Sequence, residues 1–466
     1  MSAKFDAVVV GAGPAGTIFS SEVAGAGFDV ALIDQKPKEQ VGKKVCGDGI
    51  AAGYFDILDL KEPSGDELAR RIDRSDVYTP DKKGVLQITG EGYTINRLPF
   101  GQRLLKRAER KGVQFFPKRV AKRPIIQNGA INGVTAKESD GKEFKLEARV
   151  TMDATGMTAA LRSRVPKDHL LETKIDKFDL DIAHRYIAEF PEEEWSWRGR
   201  SISLYLNQNL IPGGYGWVFP KEEGRINVGV GLQALGKGIF PQEVTDTFLE
   251  KILGIEREEL EILASGASVV PIRRPLSMLV TDGLVLAGDV ASNANPIHGG
   301  GIGHAMEAAH FAAKEIIPKL DQKEGILTKR DMWSYPKKYF TEVGGKNAAL
   351  HVLRLALQGF SNQNLNYIIK SGLISGEQLS VIQSNPEEGM GILQKISTGL
   401  RLSLFHRRLF RKLRRLQKYF ERVYELYKAY PGTPRKIREW HKKVETVIEK
   451  AKNDLWSDPY QRRGVK

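Results

Sequence analysis

The strongest constraint on the fold lies near the start of the chain, in residues 5–34. The apolar run Phe5–Val10 leads directly into Gly11-Ala12-Gly13-Pro14-Ala15-Gly16, and no further glycine turn follows until Gly25-Ala26-Gly27. A short β-branched run is typical of a buried parallel strand, and the uninterrupted stretch after the glycines predicts a helix of ordinary length. Residues 28–33 predict a second strand, which ends at Asp34.

Each glycine of this turn has a separate physical task. Gly11 allows the tight turn, Gly13 lets the backbone approach a pyrophosphate, and Gly16 lets the helix pack closely on the strand. The amides at the start of the helix can then hold the phosphates. Asp34 follows Gly16 by 18 residues, close to the spacing of about 20 for the acid that binds a ribose hydroxyl. The pattern predicts a dinucleotide site; the alternative is a glycine turn without a ligand.

The overall composition narrows the class of protein. A chain of 466 residues with 41% apolar content predicts a globular protein of two or three structural units. No apolar run approaches the roughly 18 residues that span a bilayer, and Met1–Lys4 leads into the first strand without a signal peptide. We therefore expect a cytoplasmic protein that is at most attached to a membrane. The single cysteine, Cys46, excludes an intramolecular disulfide and a cysteine-based zinc cluster, and we expect no metal.

The positive charge is concentrated in one segment. The net charge is +14, and residues 401–466 contain 20 Lys and Arg against 7 Asp and Glu, so this segment carries +13. Its apolar residues recur every three or four positions between basic residues, which predicts a basic amphipathic helix. These apolar residues are Leu402, Phe405, Leu409, Leu413, Leu416, Phe420, Val423 and Tyr427. One interpretation is contact with an anionic partner such as a membrane surface; the other is a docking helix whose charges lie in water.

The first half of the chain continues with strands and one further helix. Alternating and turn-broken apolar residues over 77–93 predict a β-hairpin around Asp81–Gly84. Residues 99–111 predict a helix, whose polar Gln102 and Arg103 could reach a cofactor or lie in solvent. Its expected buried face consists of Phe100, Leu104, Leu105 and Ala108. Further strands are predicted at residues 113–116, 131–137, 144–148 and 150–153.

The second half contains an insertion and then a second glycine turn. From about Asp176 to Val270 the alternating pattern predicts an antiparallel sheet. A strand at residues 283–287 then ends in Gly288-Asp289, and residues 295–303 open a helix that runs through about Pro318. A buried strand, a glycine turn and a helix can present backbone amides to an electron-rich ligand. The chain beyond Asp331 is predicted to be helical.

Together these motifs resemble the geranylgeranyl reductase family within the p-hydroxybenzoate-hydroxylase-like flavoproteins, especially the archaeal enzymes that saturate digeranylgeranyl-glycerophospholipids. The resemblance covers nearly the whole chain. Its motifs are Gly11–Gly16, Lys44-Val45-Cys46-Gly47-Asp48, Asp153-Ala154-Thr155-Gly156, Pro212–Pro220 and Gly288-Asp289 with His298-Gly299-Gly300-Gly301. The glycine fingerprint is common to many flavoproteins, whereas the Cys-Gly-Asp and Tyr-Gly-Trp-Val-Phe-Pro elements are much narrower.

The resemblance implies an α/β chain, α+β overall, with a Rossmann-like FAD-binding domain, an inserted antiparallel-sheet substrate domain and a helical C-terminal region. We expect the FAD-binding domain at residues 1–75, 96–172 and 272–330. The substrate domain is expected at residues 76–95 and 173–271, and the helical, basic region at 331–466.

The resemblance also implies FAD as the cofactor and suggests which residues bind it. The expected FAD-binding residues are Gly11, Gly13, Ala15, Gly16, Asp34, Cys46, Gly47, Arg103, Asp289, Gly300, Gly301 and Ile302. Among these, Asp34 belongs to the ADP end, Arg103 to the pyrophosphate or ribityl region and Asp289 to the ribityl-pyrophosphate portion. The turn of residues 296–301 is expected beside the isoalloxazine.

The implied reaction is saturation of C=C bonds in geranylgeranyl chains of polyisoprenyl lipids or geranylgeranyl diphosphate, by hydride transfer from reduced flavin and protonation. No carbonyl polarises such an alkene, so we expect early protonation, with the positive charge stabilised by aromatic faces. Tyr215, Trp217 and Phe219 are the candidates for this wall, or ordinary core residues. Cys46 could supply the proton or fill space. His298 could relay a proton or cap its turn.

Departures from related families bear on the electron donor and on competing functions. Related hydroxylases use an Asp-Gly pair with NADPH where this chain has Thr155-Gly156, and Ala159 replaces their usual Ser. As the electron donor, a ferredoxin-like protein is therefore a more open possibility than NAD(P)H. Tyr215–Pro220 matches the Trp-x-Trp-x-Ile-Pro signature of flavin halogenases only in part, which makes a halogenase a poor fit. The alternatives are a flavin monooxygenase acting on a lipid or aromatic substrate, and a non-enzymatic flavin-binding, membrane-associated protein. No nucleic-acid partner is expected.

Overall fold

The computed structural model of the protein describes residues 2–166, 171–189, 199–222, 224–235, 238–398 and 407–457. These residues form two eight-stranded sheets and a helical C-terminal region. The strands are β1 (Ser2–Val10), β2 (Val30–Ile33), β3 (Gly49–Ala51), β4 (Leu68–Tyr78), β5 (Val85–Ile95), β6 (Gln114–Phe116), β7 (Val120–Gln127), β8 (Ala130–Lys137), β9 (Glu143–Asp153), β10 (Leu180–Glu189), β11 (Ser201–Tyr205), β12 (Tyr215–Pro220), β13 (Arg225–Gln233), β14 (Glu261–Pro271), β15 (Val280–Thr281) and β16 (Leu284–Leu286). The α-helices are α1 (Pro14–Gly25), α2 (Gly53–Ile57), α3 (Arg97–Arg110), α4 (Pro241–Phe248), α5 (Ile302–Gln322), α6 (Ser334–Tyr339), α7 (Gly345–Gln358), α8 (Asn362–Lys370), α9 (Gly376–Ser384), α10 (Pro386–Thr398), α11 (Arg407–Lys428) and α12 (Ile437–Leu455).

The first sheet contains the predicted nucleotide-binding unit. Its strands run in the order β15-β16-β9-β1-β2-β6, and β8 and β7 extend it from β9. Strand β1 pairs in parallel with both β2 and β9, and β16 pairs in parallel with β9. Residues 7–10 and the whole of β2 are buried, as expected for parallel strands covered on both faces. The predicted order of strand, glycine turn, helix and strand is confirmed.

The second sheet is the predicted antiparallel insertion. Its order is β14-β10-β13-β12-β11-β4-β5-β3, and its neighbours pair antiparallel except β11 with β4. The predicted hairpin is confirmed by β4 and β5, which face each other at Tyr78 and Val85. This sheet also includes β3 and the first part of β4, which the sequence assigned to the FAD-binding domain.

Two local expectations for the strands were incomplete. Residues 144–148 and 150–153, predicted as separate strands, form the single strand β9. The charge of Arg149 does not interrupt this strand because its guanidinium pairs with Asp6 of β1 at 2.6 Å. Strand β7 was not predicted; it is mostly exposed and lacks a continuous apolar run. The predicted buried face of α3 is confirmed, since its buried residues are Phe100, Leu104, Leu105 and Ala108.

The helical region is arranged around α7, which packs against α11 and α12. The predicted apolar stripe is buried from Leu409 to Tyr427, while Leu402 and Phe405 lie outside the described residues. The stripe is therefore part of the core, as in a docking helix. The basic residues between its members are exposed except Lys412, which is half-buried and donates to the Gly359 carbonyl at 2.7 Å. Within the part of the chain that the structure describes, no helix is long and apolar enough to cross a membrane.

Candidate cofactor and substrate cavity

A single large cavity connects both glycine turns with the second sheet and the helical region. Its volume is about 1320 Å³. One end is lined by residues 10–15 and by the loops of residues 41–49 and 295–303. The middle is lined by one face of the second sheet. The other end is lined by apolar side chains of α7 to α11, including Leu353, Leu365, Ile369, Leu393 and Leu413. The cavity is thus suited to a ligand that is polar at one end and long and apolar at the other.

The first glycine turn has the backbone shape that a dinucleotide requires. Gly11 has a φ of +103°, and a Cβ atom there would lie 2.5 Å from the carbonyl oxygen of Ala154. A Cβ atom on Gly16 would lie 1.9 Å from the Gly11 carbonyl oxygen, so this glycine is needed for helix–strand packing and lies behind the cavity wall. Gly13 instead has no atom within 4 Å of its Cβ position. No side chain caps the start of α1, so its first amides are free to bind phosphate.

Asp34 lies beside this turn at the end of β2. Its carboxylate accepts a hydrogen bond from the Ala12 amide at 2.7 Å and another from the Lys36 amide at 2.8 Å. It also lines the cavity. Asp34 therefore fixes the shape of the glycine turn, and it stands where the predicted ribose-binding acid is expected.

The second glycine turn faces the first across the carboxyl ends of the parallel strands. Asp289 follows Gly288, whose φ is +88°, and accepts a hydrogen bond from the Lys44 ammonium group at 2.7 Å. Gly301 precedes α5 without a side-chain cap, and a Cβ atom on it would lie 3.1 Å from Asp289 Oδ1. A second helix N-terminus with open amides thus borders the same cavity. Ligands of open α/β sheets bind at this edge of the strands.

The Cys46 loop forms a charged cluster at the cavity wall. The thiol donates a hydrogen bond to Asp48 at 2.8 Å, and the Arg97 guanidinium contacts the sulfur at 3.2 Å. The buried Asp48 carboxylate also accepts a hydrogen bond from Asn227 at 3.0 Å and lies 3.5 Å from the Lys221 ammonium group. Burial, followed by the charge of Asp48, raises the pKa of the Cys46 thiol, so it stays protonated at neutral pH.

Arg103 does not reach the cavity, contrary to expectation. Its guanidinium pairs with Glu67 at 2.7 Å and donates to the Lys61 carbonyl, while the neighbouring Gln102 donates to the carbonyls of residues 38 and 41. Arg97 lines the cavity instead. Arg97 precedes Phe100 by three residues and Leu104 by seven, so it lies on the same face of α3 as these buried residues. This spacing could have identified Arg97 from the sequence as a residue that faces the protein interior.

The predicted aromatic residues form one wall of the cavity. Tyr215, Trp217 and Phe219 alternate along β12 and therefore share a face. The ring centroids lie 6.2 Å apart for the first pair and 6.4 Å apart for the second. The Trp217 indole donates to Asn227 at 3.0 Å, and the Tyr215 hydroxyl donates to the carbonyl of His298 at 2.6 Å. The second glycine turn is therefore fixed directly to this wall.

His298 faces the cavity from the second glycine turn. Its Nδ1 atom accepts a hydrogen bond from the Gly300 amide at 3.1 Å, which is the capping geometry considered from the sequence. Desolvation by the surrounding protein atoms lowers the pKa of His298 to about 4, so the imidazole is neutral at neutral pH. The side chain itself is exposed and lines the cavity. The predicted site residues Gly11, Gly13, Ala15, Cys46, Gly47, Asp289, Gly300 and Ile302 also line it.

Comparison with known proteins identifies relatives along the whole chain. Residues 179–270 match the model of the geranylgeranyl reductase catalytic domain, and residues 59–178 match the tryptophan halogenase model. The digeranylgeranylglycerophospholipid reductase of Sulfolobus acidocaldarius is 31% identical over 97% of this chain and 99% of its own length. The enzyme of the same name from Methanocella arvoryzae is 32% identical over 68% of this chain and 78% of its own length.

Solved structures share the fold at lower identity. A geranylgeranyl bacteriochlorophyll reductase-like protein from Thermoplasma acidophilum superposes with a TM-score of 0.75 at 22% identity, covering 85% of this chain and all of its own. A flavin-dependent brominase superposes with a TM-score of 0.61 at 15% identity, covering 90% of this chain and all of its own. The overall fold is therefore shared with proteins whose names indicate different chemistry.

The open space at Gly13 allows a test of cofactor binding that leaves the fold intact. The backbone of Gly13 is extended, so Gly13→Leu is tolerated locally, but its side chain fills space in the cavity beside the first amides of α1. We expect wild type to bind one FAD per chain, the cofactor that the sequence resemblance implies. Such overpacking costs about 1–3 kcal/mol, so Gly13→Leu should bind FAD about tenfold more weakly or worse. Flavin absorbance measures the FAD content per chain, and fluorescence titration measures the FAD affinity.

A matched control is Gly53→Leu. Gly53 also has open space at its Cβ position, but it lies outside the cavity lining. This variant should bind FAD like wild type. Equal FAD affinity in Gly13→Leu and wild type would contradict the assignment of this turn.

Proposed function

This chain belongs to the digeranylgeranylglycerophospholipid reductase family, and we propose that it uses FAD to saturate C=C bonds in the geranylgeranyl chains of polyisoprenyl lipids. The observation that carries the proposal is the continuous cavity from two phosphate-compatible glycine turns, past three aromatic rings, to an apolar end. A phosphate-bearing cofactor suits the first part. A long hydrocarbon chain suits the last part, because burial of apolar surface contributes about 25 cal/mol per Å².

We propose that FAD is held by the residues that border the polar end. Gly13 and the first amides of α1 would bind its phosphates, and Asp34 would bind the adenosine ribose. Asp289 and the amides of residues 300–302 would bind the opposite part of the cofactor. Arg97 takes the role that the sequence suggested for Arg103, because its guanidinium borders the cavity. When bound in its reduced form, FAD would supply an electron pair and one hydrogen to the alkene and would become oxidised.

The aromatic wall would orient the alkene and stabilise positive charge on it. Tyr215, Trp217 and Phe219 present their rings to the cavity, and aromatic faces attract a cation by about 0.5–2 kcal/mol. The Tyr215 hydroxyl donates a hydrogen bond to the His298 carbonyl, and this bond holds Tyr215 in place. We assign these residues, together with Cys46, to the catalytic site.

The electron donor is proposed to be a ferredoxin-like protein or NAD(P)H. Thr155-Gly156 stands where related hydroxylases carry their NADPH-associated Asp-Gly pair. In this chain the Asp153 carboxylate holds that turn by accepting the Thr155 hydroxyl at 2.6 Å and the amides of Leu161 and Arg162. Because this turn is held by hydrogen bonds within the protein and lacks the Asp-Gly pair, it favours the ferredoxin-like donor.

The proposed activity predicts a defined change in the lipid. Wild-type protein carrying chemically reduced FAD should convert a digeranylgeranyl phospholipid into products that have gained two hydrogens for each alkene. Mass spectrometry of the lipid extract measures this gain. Products that contain added oxygen would identify a monooxygenase, and an unchanged lipid would exclude the proposed reduction.

Substitution of Cys46 tests the charged loop. Cys46→Ala removes the sulfur that contacts Asp48 and Arg97, and losing a hydrogen bond to a charged group costs about 1.5–3 kcal/mol. We expect FAD to remain bound while turnover falls about tenfold or more, or while fewer alkenes are saturated. Cys46→Ser, which retains a donor, is the matched control and should recover part of the rate. An unchanged rate and product distribution in Cys46→Ala would leave Cys46 a packing role only.

We further propose that α11 brings the protein to anionic lipid. Arg407, Arg408, Arg411 and Arg414 are exposed, and the ion pairs recorded for the described part of α11 involve Arg415, Arg422 and Lys428 instead. The inner face of the same helix lines the cavity with Leu413 and Leu416. A helix is about 10 Å across, so lipid attracted by the arginines would lie close to the apolar end of the cavity. Because the apolar stripe is buried, attraction would depend on charge alone.

Neutralising these four arginines should release the protein from membranes. Each charge near an anionic surface contributes about 1 kcal/mol, so loss of even two effective charges weakens binding about thirtyfold. Replacing Arg407, Arg408, Arg411 and Arg414 with Gln should preserve FAD binding and abolish sedimentation with anionic vesicles. The attraction of wild type should weaken as salt rises.

A control variant carries the same charge change on the neighbouring helix α12. Arg438, Lys442, Lys443 and Lys450 are also exposed, and their replacement with Gln should leave most vesicle binding intact. If wild type ignores anionic vesicles at low salt, or both variants bind equally well, α11 is a docking helix only.

A further inference from the structure

Asp181 is a buried acid in the substrate part of the cavity that the proposed function does not yet use. It lies near the start of β10, only 8% exposed, and it lines the cavity. Strand β10 lies next to the edge strand β14 of the second sheet and has a partner on each side, so Asp181 pairs with Gln233 of β13 and Val270 of β14. The next residue on the same face, Ala183, also lines the cavity. The carboxyl group therefore belongs to the sheet face that carries the aromatic wall.

The sheet leaves room for a substrate between this acid and the aromatic wall. Tyr215 of β12 is level with Gly231 of β13, and Gly231 is level with Ala183 of β10. A Cβ atom on Gly231 would meet only the edge of the Trp217 ring, at 3.8 Å. Ala183 and Gly231 thus form a floor of small residues on this face of the sheet. Tyr215 borders this floor on β12, and Asp181, two residues before Ala183, borders it on β10. A chain lying on this floor contacts both.

The Asp181 carboxyl group has an unusual environment. Within the described residues its Oδ1 atom is buried without a hydrogen-bond partner. Arg354 of α7 is the nearby cation, but its guanidinium donates to Asp179 at 3.0 Å and to the Phe178 carbonyl at 3.2 Å. A buried, uncompensated carboxylate is costly, so the neutral acid is favoured.

We propose that Asp181 is the proton donor of the reduction, delivering a proton to one alkene carbon while the alkene lies between the acid and the aromatic wall. This inference rests on the proposed function. The alkene π bond is lost and two C–H bonds form. One hydrogen arrives with the electron pair from reduced FAD, which becomes oxidised. The other leaves Asp181 as a proton, and the Asp181 carboxylate regains a proton from water.

The proton-donor candidates considered from the sequence, Cys46 and His298, and the neighbouring Tyr215 are poorer donors than Asp181. Burial raises the pKa of Asp181 to about 7, so this group is both protonated in part and acidic at neutral pH. Burial raises the pKa of the Tyr215 phenol well above its ordinary value, and burial raises the pKa of Cys46, whose proton is donated to Asp48. His298 is neutral at neutral pH. A general acid is most effective when its pKa lies near the working pH.

The groups that face Asp181 set the expected pH dependence. Arg354 approaches from α7 and Tyr215 from β12, while the neighbours on β13 and β14, Gln233 and Val270, carry no charge. Arg354 stays charged and Tyr215 stays neutral around pH 7. The proton available from Asp181 is therefore lost as the pH rises through about 7, and alkene reduction should slow over the same interval.

The test compares Asp181→Asn with wild type and two controls. With chemically reduced FAD and a digeranylgeranyl phospholipid, Asp181→Asn should form product about 100-fold more slowly or worse, the usual contribution of a general acid. Its bound FAD and the rate at which dithionite reduces it should be unchanged. Asp181→Glu restores an acid and should regain part of the rate. Glu189→Gln changes an acid at the far end of the same strand, paired with Arg225 and outside the cavity lining, and should match wild type.

Two further readouts do not depend on the rate of turnover. Infrared spectra of the FAD-loaded protein without lipid should show a protonated carboxyl group that titrates near pH 7 in wild type and is missing in Asp181→Asn. In D₂O, wild type should place deuterium on one face of the alkene carbon, and the residual product of Asp181→Asn should lose this selectivity.

The outcomes separate this inference from the proposed function. If wild type reduces no alkene, the proposed function fails. If wild type reduces the lipid and Asp181→Asn reduces it as fast with the same facial selectivity, Asp181 is not the donor. If Asp181→Asn fails to retain FAD, the wild-type infrared titration and the rate of Asp181→Glu decide whether Asp181 is the proton donor. Absence of a carboxyl group titrating near neutral pH would then overturn the proposal.

Discussion

The close contact between the first glycine turn and strand β9 is the constraint on which the rest of the structure depends. Gly11 approaches the backbone of Ala154 so closely that any Cβ atom would collide with it, and Gly16 brings α1 onto the same turn. Because β1 and β9 are parallel neighbours, their carboxyl ends meet at this point. The second glycine turn follows β16, the next parallel strand. Both helix N-termini therefore open into one cavity, which suits one extended cofactor.

The register of the second sheet selects which of its residues face that cavity. Alternation along β12 presents three aromatic rings to one face, and alternation along β10 presents Asp181 and Ala183 to the same face. A shift of one residue in either strand would replace the aromatic rings or the acid by their neighbours on the opposite face. The long pairing of β10 with both β13 and β14 fixes this register. The set of side chains on this wall of the cavity is thus determined by strand pairing.

The helical region closes the cavity and is attached to the sheets by buried ion pairs. Arg354 of α7 donates to Asp179 at 3.0 Å, and the buried Arg274, just after β14, pairs with Glu445 of α12. Removing one partner of such a pair leaves an uncompensated buried charge, which costs about 3–5 kcal/mol. The apolar stripe of α11 contributes to the core and to the cavity lining at once. Its burial makes the basic face the part of this helix that is available to a partner.

Local sequence patterns by themselves determined the elements whose signal is short-range. The glycine turn, the hairpin around Asp81, the buried face of α3 and the apolar stripe of α11 follow from spacing, because periodicity and backbone sterics act over a few residues. The tertiary structure alone decided which polar side chains reach the cavity. Arg103 and Arg97 share a helix, but its packing turned Arg103 toward Glu67 and Arg97 toward Cys46. Likewise Asp181 is an ordinary strand residue in the sequence. Only its burial near Tyr215, which results from pairing between distant strands, raises the pKa of its carboxyl group and favours the protonated form.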